Sequence, residues 1–360
     1  MLRLKKISLT HFKNYDFTSF DFSENVIGIS GLNGKGKTNL LDAIYYCCFT
    51  KSYFSSIDAL NINMDKDGFR LEAGFEHTEQ ELKVICINRG AYKKEFSLND
   101  VPYIKYSKHI GLLPAVMIAP DDIEIITGSS EGRRKYIDAT LCQTDAEYLQ
   151  QLMIYNKVLL QRNSLLKRFA EPGQGDEALL EILDEQLCIP AHYVFKKRTE
   201  LLPRLIHSVK EFYKVISGKD DEISLSYESQ LTAWPIEKLL LQNRAKDKML
   251  QRTTAGIHRD DIELKMNGLL FKNIASQGQR KSLLFALKLA EYEMIKEVKG
   301  FAPLLLLDDV FEKLDNERIE NLLHWVCKQN VGQVFITDTN SERLRKIFSS
   351  LNISFQLTEL

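Results

Sequence analysis

Apolar and polar positions alternate, or apolar ones run together, over residues 2–9, 19–22, 26–30, 69–75 and 82–88. That is the pattern of β-strands, and turn residues such as Ser23-Glu24-Asn25 separate them. Residues 114–120 read as one more buried strand, closed by Pro120 and followed by Asp121-Asp122. From Ser130 the period lengthens. Residues 133–141 and 146–169 read as helix, with Leu149, Leu152, Met153, Leu159, Leu160 and Leu166 recurring mostly at three- and four-residue steps. Glu171-Pro172-Gly173-Gln174-Gly175 is a turn. A second long helical stretch runs from Asp176 to about residue 216, with breaks or kinks expected at Pro190 and Pro203. Two long amphipathic helices joined by a short turn predict an antiparallel helical arm. Strand pattern returns at 223–227 and helix at 235–249. The last third alternates again: helix 276–299, the all-apolar strand 304–307, helix 316–328, strand 333–337. The class is therefore α/β. A head at 1–120 and 250–360 is interrupted by a mostly helical second lobe at 121–249.

Composition narrows the class without fixing a function. A hydrophobic content of 44% with 27% charged residues fits a soluble globular chain, and 360 residues leave room for two lobes. No apolar run reaches transmembrane length, so no membrane association is expected. Met1-Leu2-Arg3-Leu4-Lys5-Lys6 is basic, but no apolar stretch of signal length follows it. The six cysteines lack metal-ligand spacing and predict reduced thiols in a cytoplasmic protein. The net charge of −1 does not by itself call for a nucleic-acid partner. Any basic surface must be clustered, or assembled by oligomerisation.

Candidate chemistry centres on Gly31-Leu32-Asn33-Gly34-Lys35-Gly36-Lys37-Thr38, which fits G-x-x-x-x-G-K-[ST]. Glycines let such a loop turn its N–H groups toward a polyphosphate. Lys37 would reach the β- and γ-phosphates, and the Thr38 hydroxyl would ligate Mg²⁺. A strand precedes the loop and a helix follows it, which favours this reading over a plain surface turn. Leu304-Leu305-Leu306-Leu307-Asp308-Asp309 supplies the acidic partner. Asp308 emerges at the carboxyl end of a strand, where ligands bind in open α/β sheets, and would contact Mg²⁺. Asp309 would orient, or take a proton from, the attacking water. An Asp-Asp turn that merely caps the next segment is the plain alternative.

Ser276-Gln277-Gly278-Gln279-Arg280 lies 32 residues before Asp308 and opens a helix. It resembles the signature loop of ABC-type ATPases, in which Ser and Gly at a helix start bind the γ-phosphate held by a partner subunit. Phe311-Glu312-Lys313-Leu314-Asp315 resembles the loop that communicates between the two sites of such a dimer. More of the chain resembles the RecF family, bacterial DNA replication and repair ATPases related to SMC-type heads. The similarity is carried by Leu9-Thr10-His11-Phe12-Lys13-Asn14-Tyr15, by Ala119-Pro120-Asp121-Asp122 through Arg133-Arg134-Lys135-Tyr136-Ile137-Asp138, and by Tyr155-Asn156-Lys157 with Gln161-Arg162-Asn163-Ser164. Gly256-Ile257-His258-Arg259-Asp260-Asp261 is similar to the family's GPHRDD, with Ile257 in the proline position. The resemblance implies an ABC/SMC-like head and a weak ATPase. It also implies ATP and Mg²⁺ as cofactors, a homodimer that closes on double-stranded or gapped DNA, and RecO- and RecR-type partners that assist recombinase loading.

Two departures qualify it. Asp309 stands where transporter-type enzymes have glutamate, which suggests slow hydrolysis. Thr337-Asp338-Thr339 stands where they carry a switch histidine, and that role is left unassigned. Arg133, Arg134 and Lys135 are candidate DNA-phosphate contacts or a solvated helix start. Lys196-Lys197-Arg198 reads as a solvated face of the arm rather than a second DNA contact. His258-Arg259 reads either as a core pair or as a contact near the nucleotide or dimer interface. The rival classes are an SMC-type structural head, which needs longer arms, a transporter subunit, and a small-molecule kinase, which does not need the 276–280 segment.

Overall fold

The structure, a computed structural model, describes residues 1–90, 94–171, 174–311 and 315–360. They form two units, one of Met1–Asp122, Glu211–Asp220 and Gln277–Leu360, the other of Ile123–Lys210 and Asp221–Ser276. The expected boundary at 250 places residues 250–276 with the head. They group with the second unit because Asp261–Met266 pairs antiparallel with Ile223–Glu228. Pairing of this kind depends on a distant strand, which local pattern does not report.

The first unit is built on an all-parallel sheet in the order Gln356–Glu359, Val26–Ser30, Val334–Asp338, Leu304–Leu307, Ala115–Ile118. Its four inner and far strands are buried along their whole length, as near-continuous apolar runs require. The edge strand Gln356–Glu359 is polar and half-exposed, and its sequence carries no strand signal of its own. A second, antiparallel sheet runs Tyr15–Asp21, Leu2–Phe12, Phe69–His77, Gln80–Asn88, Lys94–Leu98, Val101–Pro102. In Leu2–Phe12 the register shifts between Leu4 and Lys6. This bulge lets Lys5 and Lys6 both face out while Leu4 and Ile7 both face in. The inward side chains of this sheet, the helix Lys37–Phe49 and the parallel sheet share one core, which includes Leu9, Phe12, Leu40, Ile44, Phe75 and Leu306.

In the second unit, Ala146–Arg168 packs against the long helix Glu177–Ser217, whose residues up to Lys210 belong to this unit. Asp145 meets Tyr193 and Lys197, whereas Arg162 meets Asp184. One number rises as the other falls, so the pair is antiparallel. Pro172 and Gly173, from the expected turn, lie outside the described residues. The helix Glu177–Ser217 runs 41 residues without the expected break at Pro190 or Pro203. Each proline costs about 3 kcal/mol inside a helix. Leu180, Leu187, Ala191, Val194, Leu205 and Val209 are fully buried along it, at about 1.5–3 kcal/mol for each large apolar side chain. Burial therefore outweighs the two lost hydrogen bonds.

Candidate functional site

Val26–Ser30 ends at its carboxyl edge in the phosphate loop, and the helix Lys37–Phe49 follows at once. Gly34 and Gly36 have φ of 82° and 108°, a left-handed backbone that favours glycine. Gly36 also sits against Asn14 and Tyr15, either of which would lie 2.8 Å from an added Cβ. The Tyr15 hydroxyl donates to the Gly36 carbonyl at 3.1 Å, and Asn39 Nδ2 donates to Asn14 Oδ1 at 2.7 Å. The turn after the first strand thus braces the loop. Leu32, Asn33, Gly34 and Lys35 are exposed. Lys37 is buried, and its Nζ donates to the carbonyls of Gly31 at 2.8 Å and Leu32 at 3.2 Å. The helix start has no side-chain cap. Its first N–H groups and its positive dipole end are suited to a phosphate.

Register brings the acidic pair to this loop. Leu307 pairs with Ile336, and Asp338 pairs with Ser30. Asp308 and Thr337 therefore emerge side by side at the carboxyl edge. Asp308 is 4% exposed and accepts from Thr38 Oγ1 at 2.8 Å and from Thr337 Oγ1 at 2.8 Å. Thr337 Oγ1 in turn accepts the Asp309 N–H at 2.9 Å. Burial raises the Asp308 pKa above the usual carboxylate value, and the hydrogen bonds from Thr337 and Thr38 pull it back. An oxygen-only pair, Thr38 and Asp308, beside a phosphate loop fits Mg²⁺, which is typically held by one or two protein oxygens plus substrate phosphates. Asp309 has φ of 46°, so the chain turns sharply just after the strand.

The neighbouring Asp338 accepts from Arg343 Nε at 2.6 Å, and that guanidinium lies 4.9 Å from the Phe311 ring centroid. Sequence reading left Thr337 and Asp338 unassigned. Two polar residues ending the otherwise apolar strand Val334–Asp338 are the signal that could have given them a role. Asn14 and Tyr15 carry no chemical signal of their own in the sequence; the fold sets them against the loop. Ser276 and Gln277 are exposed, and Gly278 and Gln279 half-buried, at the start of Gln277–Lys299. Glu312-Lys313-Leu314, the middle of the expected communicating loop, lie outside the described residues.

The basic clusters of the second unit need correction. Arg133 is buried and forks onto Asp261, with Nε–Oδ1 at 2.7 Å and Nη2–Oδ2 at 2.9 Å. Arg134 donates to the Asp260 carbonyl at 2.6 Å and to Ser130 Oγ at 2.7 Å. Lys135 is the exposed member of the three and pairs with Glu131 one turn away. Arg198, expected on a solvated face, is 2% exposed. It binds Asp138 at 2.9 Å, Asp260 at 3.1 Å and the Ile257 carbonyl at 2.9 Å. His258 lies between the Tyr155 hydroxyl at 2.7 Å and the Thr253 carbonyl at 3.1 Å, and burial lowers its pKa to about 4. His258 is half-buried and held by internal partners, whereas Arg259 beside it is exposed. Arg162, fully buried, joins Asp184 at 2.6 Å and Asp247 at 2.7 Å. The motif residues Arg133, Asp138, Arg162, Asp260 and Asp261 thus hold this unit together from within.

Comparison with known proteins agrees with this architecture. Residues 3–359 match the family described as RecF/RecN/SMC N terminal domain. The DNA replication and repair protein RecF of Flavobacterium johnsoniae is 38% identical over 359 residues, covering 100% of both chains. That of Parabacteroides distasonis is 39% identical over 354 residues, covering 98% of this chain and 96% of its own. A solved structure of the recombination mediator protein RecF-ATPrS in the RecFOR pathway superposes with a TM-score of 0.86 at 32% identity, over 94% of this chain and 93% of that one. An Smc head domain from Pyrococcus furiosus shares the fold at a TM-score of 0.56 and 15% identity, over 98% of this chain and 92% of its own. With an ABC/SMC-type head and full-length relatives of this similarity, the chain belongs to the RecF family.

Proposed function

We propose that this protein is an ATP-dependent DNA-binding protein of replication and recombinational repair. ATP lies in the loop at residues 31–38, with Lys37 on the β- and γ-phosphates. Thr38 and Asp308 hold Mg²⁺, which neutralises phosphate charge there. Asp309 orients the attacking water. Ser276, Gln277, Gly278 and Gln279 of a second copy close over the γ-phosphate, so two chains dimerise on double-stranded or gapped DNA. Hydrolysis, slow because the Asp309 carboxylate is short, opens the dimer again. RecO- and RecR-type mediators assist recombinase loading in the SOS response to damage, and the protein works in the cytoplasm. The ATP-binding head corresponds to the unit of Met1–Asp122, Glu211–Asp220 and Gln277–Leu360, and the mostly helical lobe to the other unit.

The observation that supports this reading best is the chain of contacts from Thr38 through Asp308 and Thr337 to Asp309, set at adjacent strand ends beside the phosphate loop. The solved RecF-ATP structure, at 32% identity, supports the choice of ligand.

The test mixes two inactive variants, Lys37→Ala and Ser276→Arg. Each homodimer lacks ATPase activity. A heterodimer regains one intact site of two, made from the loop of one variant and the 276–279 turn of the other. A mixture that demonstrably forms heterodimers yet stays inactive rejects the shared site.

A further inference from the structure

At the start of the helix Gln277–Lys299, the Arg318 side chain packs against Gly278. A Cβ built on Gly278 would lie 2.1 Å from Nη1 of Arg318 and 3.3 Å from its Cζ. The guanidinium therefore occupies the space that any other residue at 278 would fill. Arg318 comes from the first turn of the helix Asn316–His324. The same Nη1 lies 3.0 Å from Asp315 Oδ2, and the Arg318 N–H donates to Asp315 Oδ1 at 3.0 Å. The Arg318 side chain is 16% exposed against 55% for Asp315, and its Nε is buried with no hydrogen-bond partner among the described residues. A guanidinium held only for its charge would keep that donor in water. This one gives it up in order to press on the backbone of a glycine.

We propose that Arg318 is a positioning residue that fixes the 276–279 turn to the segment following the acidic pair. Asp315 follows Asp308 and Asp309 in sequence, and the planar fork of Arg318, paired with Asp315, packs against Gly278. The state of the ATP-bearing side of one copy thereby sets the turn which that copy offers to its partner's ATP. Coupling of this kind is reciprocal, so each site of the dimer senses the other. The inference rests on the shared-site reading above.

The test uses full-length chains and the same mixing assay. Arg318→Ala lowers kcat by about tenfold, with KM for ATP within about twofold of wild type, since the ATP-binding loop of the same chain is untouched. Mixed with Lys37→Ala, it recovers one intact site. Mixed with Ser276→Arg, it recovers nothing, because both lesions lie on the turn side. The cooperativity of wild-type hydrolysis in ATP concentration is lost in Arg318→Ala. Recovery with Ser276→Arg, or a wild-type rate in the Arg318→Ala homodimer, overturns the proposal. If Arg318→Ala lowers the melting temperature enough to unfold at the assay temperature, Arg318→Lys replaces it in the same mixtures, with the same decisive outcomes. The Lys37→Ala and Ser276→Arg mixture runs alongside, and its failure to recover would reject the shared site rather than the role of Arg318 alone.

Discussion

Thr337 has two partners in the site, and both are functional groups. It donates to Asp308 and accepts from the backbone of Asp309, so one hydroxyl holds the proposed metal ligand and the proposed water-orienting residue in a fixed relation. Thr337→Val keeps the shape and the strand preference but removes both bonds. We expect kcat for ATP hydrolysis to fall by about 10- to 100-fold, as for a positioning contact felt mainly in the transition state, with KM changed by less than about threefold. Thr337→Ser should recover most of the rate. Steady-state kinetics of the two variants checks this, and an unchanged kcat in Thr337→Val would show that the contacts are incidental. The same scale explains why the basic residues misled. Arg133, Arg134 and Arg198 look like a solvated or DNA-facing set in sequence, because charge is visible there and partners are not. Asp138, Asp260 and Asp261, which neutralise them, come from segments up to 128 residues away.

At the scale of elements, strands that are buried on both faces were legible. Val26–Ser30 and Leu304–Leu307 are short apolar runs, and nothing but a covered parallel sheet suits them. Gln356–Glu359 and Asp261–Met266 were not legible, because their identity as strands comes from a neighbour. The arm helix shows the opposite failure. Local propensity breaks it at Pro190 and Pro203, and the packing of one apolar face carries it through. Pro203 is exposed, so its ring supports no core contact. Pro203→Ala should therefore stabilise the protein, by roughly 1–3 kcal/mol, through a restored helical hydrogen bond and better helix propensity. A higher urea midpoint or melting temperature checks it, and a lower one would mean that the helix depends on a bend there.

For the whole molecule, a net charge of −1 leaves little long-range attraction for DNA. With Arg133, Arg134 and Arg198 engaged within the second unit, exposed cations such as Lys135 and Arg259 are left to meet DNA. The proposed ATP-held dimer would present them twice, which would raise effective affinity without new contacts. DNA binding should accordingly appear with Mg²⁺ and ATP and disappear with the dimer. Fluorescence anisotropy of labelled duplex should show Ser276→Arg, which retains the ATP-binding loop, binding at least about tenfold more weakly than wild type in ATP. It should match wild type without nucleotide. Equal binding by the two proteins in ATP would place the DNA surface on the single chain.

The amino-acid sequence determined the phosphate loop, the acidic pair, the signature-like turn and the alternation of head and lobe. Each of these is a local arrangement of residue types whose chemistry depends on spacing along the chain. Tertiary structure decided what those residues touch. It placed Thr337 against Asp308, Tyr15 under Gly36 and Arg318 on Gly278, and it turned the motif arginines of the second unit into internal ties. The physical reason is that hydrogen-bond and ion-pair partners are set by strand register and helix packing, which bring together residues far apart in the chain.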